Sequence, residues 1–151
     1  MILISACLAG INCKYNGKNN LVPAIKALVD EGKAIPICPE QLGGLLTPRD
    51  PAEIIKDNFG NIKIITKNGK NVTNEYILGA NRALSIAKAL NIKTAILQSR
   101  SPSCGYGTIY DGTFSKYLID GNGITAELFI KNNIKVFSDK NYLKQNFKNQ
   151  V

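Results

Sequence analysis

Three apolar runs, ILISA at 2–6, AIPI at 34–37 and TAILQ at 94–98, constrain this chain more than any other feature. The first two stop at cysteines, Cys7 and Cys38, and the third stops at a serine-rich turn. Runs this short, apolar throughout and bounded by turn signals, read as strands buried on both faces of a parallel sheet. Between the first two lies LVPAIKALVDEGK, where Val22, Ile25, Leu28 and Val29 fall at helical spacing and Gly32 is placed to end the helix. Before the third lies TNEYILGANRALSIAKALNI, with Thr73 as the expected N-cap and Tyr76, Ala80, Ala83, Ala87 and Leu90 as an apolar face. The segment 61–72 alternates and contains Asn68-Gly69, which predicts a strand or hairpin. TIYDGTF and YLIDGNG follow the loop at 101–107, then a helix over 124–132, a strand IKVFS and a C-terminal helix. Strands alternating with helices predict an α/β fold: an open, mostly parallel sheet with helices on both faces, Rossmann-like and three-layered. No linker or repeat divides the chain, so residues 1–151 are expected to form one domain.

In such a sheet the loops at the carboxyl ends of the strands gather along one edge, where ligands bind. Cys7, Cys38 and Cys104 lie at or just beyond a strand end, and Cys13 lies in the loop after the first strand. The predicted topology therefore converges thiols that are far apart in sequence. Each sits among glycine, proline and polar residues, which argues against core filler, and a chain without a secretory leader argues against permanent disulfides. Histidine is absent, which removes Ser-His-Asp and Cys-His mechanisms and the histidine-containing zinc sites. Without close Cys-x-x-Cys pairs, a soft thiolate set drawn from separate loops suits an iron-sulfur cluster better than zinc. Three ligands in place of four would leave one iron open to substrate as a Lewis acid.

Charge and hydropathy narrow the partners. No run approaches the roughly 20 apolar residues of a membrane helix, and the N-terminus carries no basic leader, so a cytoplasmic protein without membrane contact is expected. The formal charge of +8 favours anionic partners. Its lysines are scattered, and the basic tail SDKNYLKQNFKNQV reads as a solvated helix face, so nucleic acid is not the expected partner.

SACLAGINCKYNG, CPEQLGGLLTPRDPAEI, SRSPSCGYGTIYDGTFS and GNGITAELFIKNNIKVFS together resemble the 2-thiouracil desulfurase (TudS) family over residues 4–138. The resemblance implies a compact α/β domain with a 4Fe-4S cluster on three cysteines. It implies removal of sulfur from a thiolated pyrimidine without net redox chemistry, giving the oxo base and sulfide. Position by position, the family's ligands fall on Cys7, Cys38 and Cys104, and its catalytic pair on Glu40 and Ser101. Cys13 matches a position that is often, but not always, cysteine. The chain departs from the family at KYNG, where RYDG is usual, and at Gln98, where a lysine is common; Lys14 keeps the charge while Asn16 and Gln98 lose one each.

These residue types fit that chemistry. A thiocarbonyl sulfur is soft, and Glu40, two residues past Cys38, would activate water or shuttle a proton. Ser101 could exchange a hydrogen bond with that base or water. Ser103, Gly43, Gly44 and Arg49 are expected around the substrate, the glycines by close backbone approach; the alternatives are a structural role or a bond to cluster sulfide for Ser103, turn geometry for the glycines, and a loop brace with Glu53 for Arg49. Tyr15 reads as a stacking residue or a packed anchor. Asp111 and Asp120, each beside a glycine, read as turn residues. A non-catalytic iron-sulfur or thiol sensor, with Cys13 closing the open iron, is the competing function. A small thiolated base is the expected partner, with the oligomeric state left open.

Overall fold

The computed structural model describes residues 1–148; the end of the predicted basic tail, 149–151, lies outside them. Four parallel strands form the central sheet: β1 (Ile2–Ser5), β2 (Ala34–Ile37), β5 (Thr94–Leu97) and β8 (Lys135–Ser138), in the order β2-β1-β5-β8. The chain leaves β1 for β2 on one side and later returns to β5 on the other. A switch point therefore opens between the carboxyl ends of β1 and β5, the place where this architecture binds ligands.

Both faces of the sheet are covered, which explains the unbroken apolar runs. Leu3, Ala95, Leu97 and Val136 point to α3 (Thr73–Ala89) and α4 (Ile124–Lys131), meeting Ala83, Ala87, Ala126 and Phe129. Ile4, Ala34 and Ile96 point the other way, to Ile25 of α1 (Pro23–Asp30) and to Tyr142 of α5 (Asp139–Lys148). The result is the three-layered α/β sheet anticipated from the sequence. Pro23 opens α1, and Gly32, at φ +69°, ends it as expected.

The α3 N-terminus differs from the expectation. Val72 occupies the cap position and Thr73 is already helical. The Asn71 side-chain oxygen accepts from the Thr73 N–H at 3.0 Å and from its hydroxyl at 2.6 Å, while the Ile64 N–H donates to the Thr73 Oγ1 at 2.9 Å. That hydroxyl thus ties the helix start to the neighbouring strand. Tyr76, Ala80, Ala83 and Ala87 are buried, but Leu90, past the last helical residue, is half exposed.

Two antiparallel hairpins rise beside the sheet. β3 (Ala52–Lys56) pairs with β4 (Ile62–Thr66), and β6 (Thr108–Tyr110) pairs with β7 (Leu118–Asp120). The turn at Asn68-Gly69 brings Asn71 back to bridge Ile65, which is the hairpin expected over 61–72. Asp111 forms the expected turn by accepting from Thr113 N–H at 3.0 Å, whereas Asp120 belongs to β7. Short helical turns follow two of the parallel strands: a 3-10 turn over Ala6–Ala9 and α2 over Pro39–Leu42.

Candidate metal centre

Each ligand candidate sits where a parallel strand ends and the backbone must turn. Cys7 lies in the 3-10 turn, which Gly10 closes at φ +86°. Cys38 caps α2, its carbonyl accepting the Leu42 N–H at 3.0 Å. Cys104 ends a turn built by Ser101, whose Oγ accepts the N–H groups of Ser103 and Cys104, both at 3.1 Å. Cys13 is 2% exposed in the loop that returns toward Cys7. All four thiols are free and line one cavity of about 430 Å³ at the switch point. A second, more open groove of about 510 Å³ beside α4, β8 and α5 is lined by no cysteine or carboxylate.

The thiols perturb one another. Contact with Cys38 lowers the Cys13 pKa, but contact with Cys7 and burial outweigh it, leaving that thiol pushed up to about 11. Contact with Cys13, then burial, raises Cys38, and burial pushes Cys104 up to about 12. Without a cation, Cys13, Cys38 and Cys104 are held as thiols; bound iron would make thiolates favourable there. Among the described residues, no group of three Cys, Asp or Glu side chains fits a single metal ion. Three soft donors on separate loops around a cavity of this size instead fit a cluster, whose ligands are spread over several irons.

Glu40 stands beside these thiols in a rigid clamp. Arg49 Nε donates to Glu40 Oε2 at 2.7 Å and Nη2 approaches the same oxygen at 2.5 Å, with both side chains largely buried. Burial alone would lower the Arg49 pKa, but the Glu40 charge overrides it and raises it. Tyr76 of α3 is 3% exposed and also lines the cavity. Burial, then the adjacent Glu40 carboxylate, raises its pKa, so the phenol stays protonated. On the far side, the Lys14 ammonium donates to Asn20 Oδ1 at 2.9 Å, Asn20 Nδ2 to Gln98 Oε1 at 2.8 Å, and the Cys7 thiol to that same Oε1 at 3.7 Å.

Several expected substrate contacts are placed elsewhere. The Ser103 hydroxyl pairs with Thr125 at 2.9 Å in the interior, with Ser103 1% exposed. Gly43 faces α3, where a Cβ would meet the Glu75 carbonyl oxygen at 2.0 Å, and Gly44 turns outward at φ +90°. These three do not line the cavity, whereas Cys7, Cys38, Cys104, Glu40, Ser101 and Arg49 do. The Arg49–Glu53 brace is replaced: Arg49 takes Glu40, and Glu53 Oε1 accepts the Gly112 and Phe114 N–H groups at 3.0 and 3.2 Å. Tyr15 lines the cavity and is 44% exposed, so it is no packed anchor. Tyr76 and the Asn20–Gln98 pair were not singled out for the site; periodicity marked Tyr76 as core, and nothing local marks Asn20 as a partner of Gln98.

An open parallel α/β sheet with free thiols gathered at its switch point beside a clamped carboxylate defines an α/β protein with a candidate thiolate metal centre. The model of the 2-thiouracil desulfurase family matches residues 2–141, and the chain belongs to that family. The uncharacterized protein YbbK of Bacillus subtilis (strain 168) is 48% identical over 144 residues, covering 92% of this chain and 95% of its own. A solved structure of a 4Fe-4S-dependent thiouracil desulfidase, TudS, is 38% identical, with a TM-score of 0.83 and 97% of each chain covered.

Proposed function

We propose that this chain, working as one domain, is a thiouracil desulfidase that holds a 4Fe-4S cluster on Cys7, Cys38 and Cys104 and converts a thiolated pyrimidine such as 2-thiouracil to the oxo base and sulfide. The observation that carries the reading is the arrival of those thiols, from three separate loops, in the same cavity as Glu40 and Ser101. When bound, the cluster would supply an open, Lewis-acidic iron with affinity for a soft sulfur. Water adds its oxygen to the thiocarbonyl carbon, the C–S bond breaks, and both water protons leave with the sulfur as hydrogen sulfide; no electrons are exchanged. Glu40 takes a proton from the water, held in place by Arg49. Ser101 Oγ already accepts two backbone N–H groups, so its remaining capacity is its own proton. It acts toward the cavity as a donor.

Among the described residues no helix is long and apolar enough to cross a membrane. The four free thiols fit a reducing, cytoplasmic setting. Anaerobic reconstitution with iron and sulfide, followed by iron counting and sulfide release from 2-thiouracil, tests the reading. About four irons per chain and stoichiometric sulfide are expected for the cluster named; folded protein that takes up no iron would overturn it.

A further inference from the structure

The guanidinium of Arg49 has five N–H donors in a fixed fork. Four hydrogen bonds engage them, from Nε to Glu40 Oε2 at 2.7 Å, from Nη2 to the Cys13 carbonyl at 2.9 Å, and from Nη1 to the Leu46 carbonyl at 3.2 Å and Thr47 Oγ1 at 3.0 Å, while Nη2 also lies 2.5 Å from Glu40 Oε2 as an ion-pair contact. The side chain borders the cavity, yet each of its three nitrogens is already held by the protein. The Cys13 carbonyl that it holds also accepts from the Cys38 thiol at 3.8 Å. One side chain therefore binds the Cys13 loop, the α2 turn carrying Glu40 and the loop at 46–47 into a single wall.

We infer that Arg49 is a positioning residue that fixes Glu40 by its Oε2 atom and so selects Oε1 as the working oxygen. Both Arg49 contacts fall on Oε2, and a carboxylate with one oxygen locked can rotate little about its terminal bond. Lysine at this position would keep the positive charge but offer three donors from one point on a flexible stem, which cannot reproduce the wall. The inference rests on the desulfidase reading for the role of Glu40, but not for the geometry.

Arg49→Lys tests it with two readouts. In the reconstituted enzyme kcat is expected to fall about 100-fold, the effect of displacing a catalytic group by roughly 1 Å, with KM for 2-thiouracil changed less than about threefold and iron content retained. A raised KM with kcat preserved would make Arg49 a substrate ligand and overturn the inference. The second readout needs no activity. Infrared difference spectra of the cluster-free chain, wild type minus Glu40→Gln, should show a single narrow antisymmetric carboxylate stretch, which broadens and shifts when the same pair is recorded in the Arg49→Lys background. An unchanged band would refute the lock even if the protein proved to have another activity. Thr47→Val, which removes one acceptor and leaves the ion pair, should lower kcat in the same direction by a smaller factor.

Discussion

Replacing Gly79 by alanine separates the packing of α2 from every other property of the site. Gly79 lies in the middle of α3, where an alanine Cβ would sit 1.9 Å from the Pro39 carbonyl oxygen; one turn away, a Cβ on Gly43 would sit 2.0 Å from the Glu75 oxygen. The two contacts clamp α2 backbone to backbone on α3, with Glu40 and Tyr76 between them. In an open helix interior Gly→Ala stabilises by about 1 kcal/mol. Here the methyl must gain more than about 1 Å of clearance to reach ordinary contact, and overpacking of that kind costs about 1–3 kcal/mol. The net is a loss of up to about 2 kcal/mol, or up to about 8 °C in Tm for a chain of this length. The displaced segment begins one residue after Cys38 and contains Glu40, so kcat should fall about 100-fold and iron per chain should drop below the wild-type value. Thermal melts, iron counts and sulfide release on Gly79→Ala measure all three, with exposed Asn81→Ala on the same helix as the propensity control. A Gly79→Ala protein that melts higher, like the control, and keeps its activity would refute the reasoning.

Cys7→Ser, Cys38→Ser and Cys104→Ser should each abolish cluster absorbance after reconstitution, while Cys13→Ser retains it; loss in Cys13→Ser alone would move the ligand set. Ser103→Ala should cost about 1–3 kcal/mol in a denaturation experiment, because it strands the buried Thr125 hydroxyl, and should leave KM for 2-thiouracil unchanged. Ser101→Ala should cost about 1 kcal/mol through the lost turn cap and should also lower kcat. The thiols of Cys13 and Cys104, raised from 9.0 to about 11 and about 12, hold protons in the folded chain that the unfolded chain gives up first. The stability of the cluster-free protein should therefore be constant below about pH 8 and fall as pH rises through 9 toward 11. Denaturant midpoints from pH 7 to 10.5 in reductant should show the decline, and Cys13→Ser/Cys38→Ser/Cys104→Ser should make it shallower.

The parallel strands and long helices were legible because both obey a period: apolar runs such as ILIS and TAIL need two covered faces, and Ala80, Ala83 and Ala87 recur with the helical turn. What periodicity does not register is an element shorter than its own repeat. The 3-10 turn at Ala6–Ala9 and α2 at Pro39–Leu42 are four residues each, and they aim Cys7 and Glu40. Proximity in sequence does not by itself say which way neighbouring side chains point. Ser103 adjoins Cys104 yet its hydroxyl points into the core, and Gly43, three residues past Glu40, lies on the side packed against α3. Arg49 and Glu53 look like a local pair, but β3 turns Glu53 toward the Gly112–Phe114 loop and leaves Arg49 to Glu40. The Asn20–Gln98 contact joins positions with no local signal between them. A tyrosine at a core period reads as packing, and Tyr76 does pack, but the α2–α3 contact also sets it beside Glu40.

The sheet order has a consequence for how the protein matures. The proposed ligands are 31 and 66 residues apart in sequence, each on the far side of a crossover, so no short peptide of this chain presents two of them. A zinc finger can fold around its ion because its ligands are near neighbours. Here the template runs the other way: β1, β2 and β5 must be aligned before iron meets all three thiols. On the proposed ligands, a bound cluster would be a cross-link that closes two long loops at once, and would oppose unfolding most where loop closure is entropically largest.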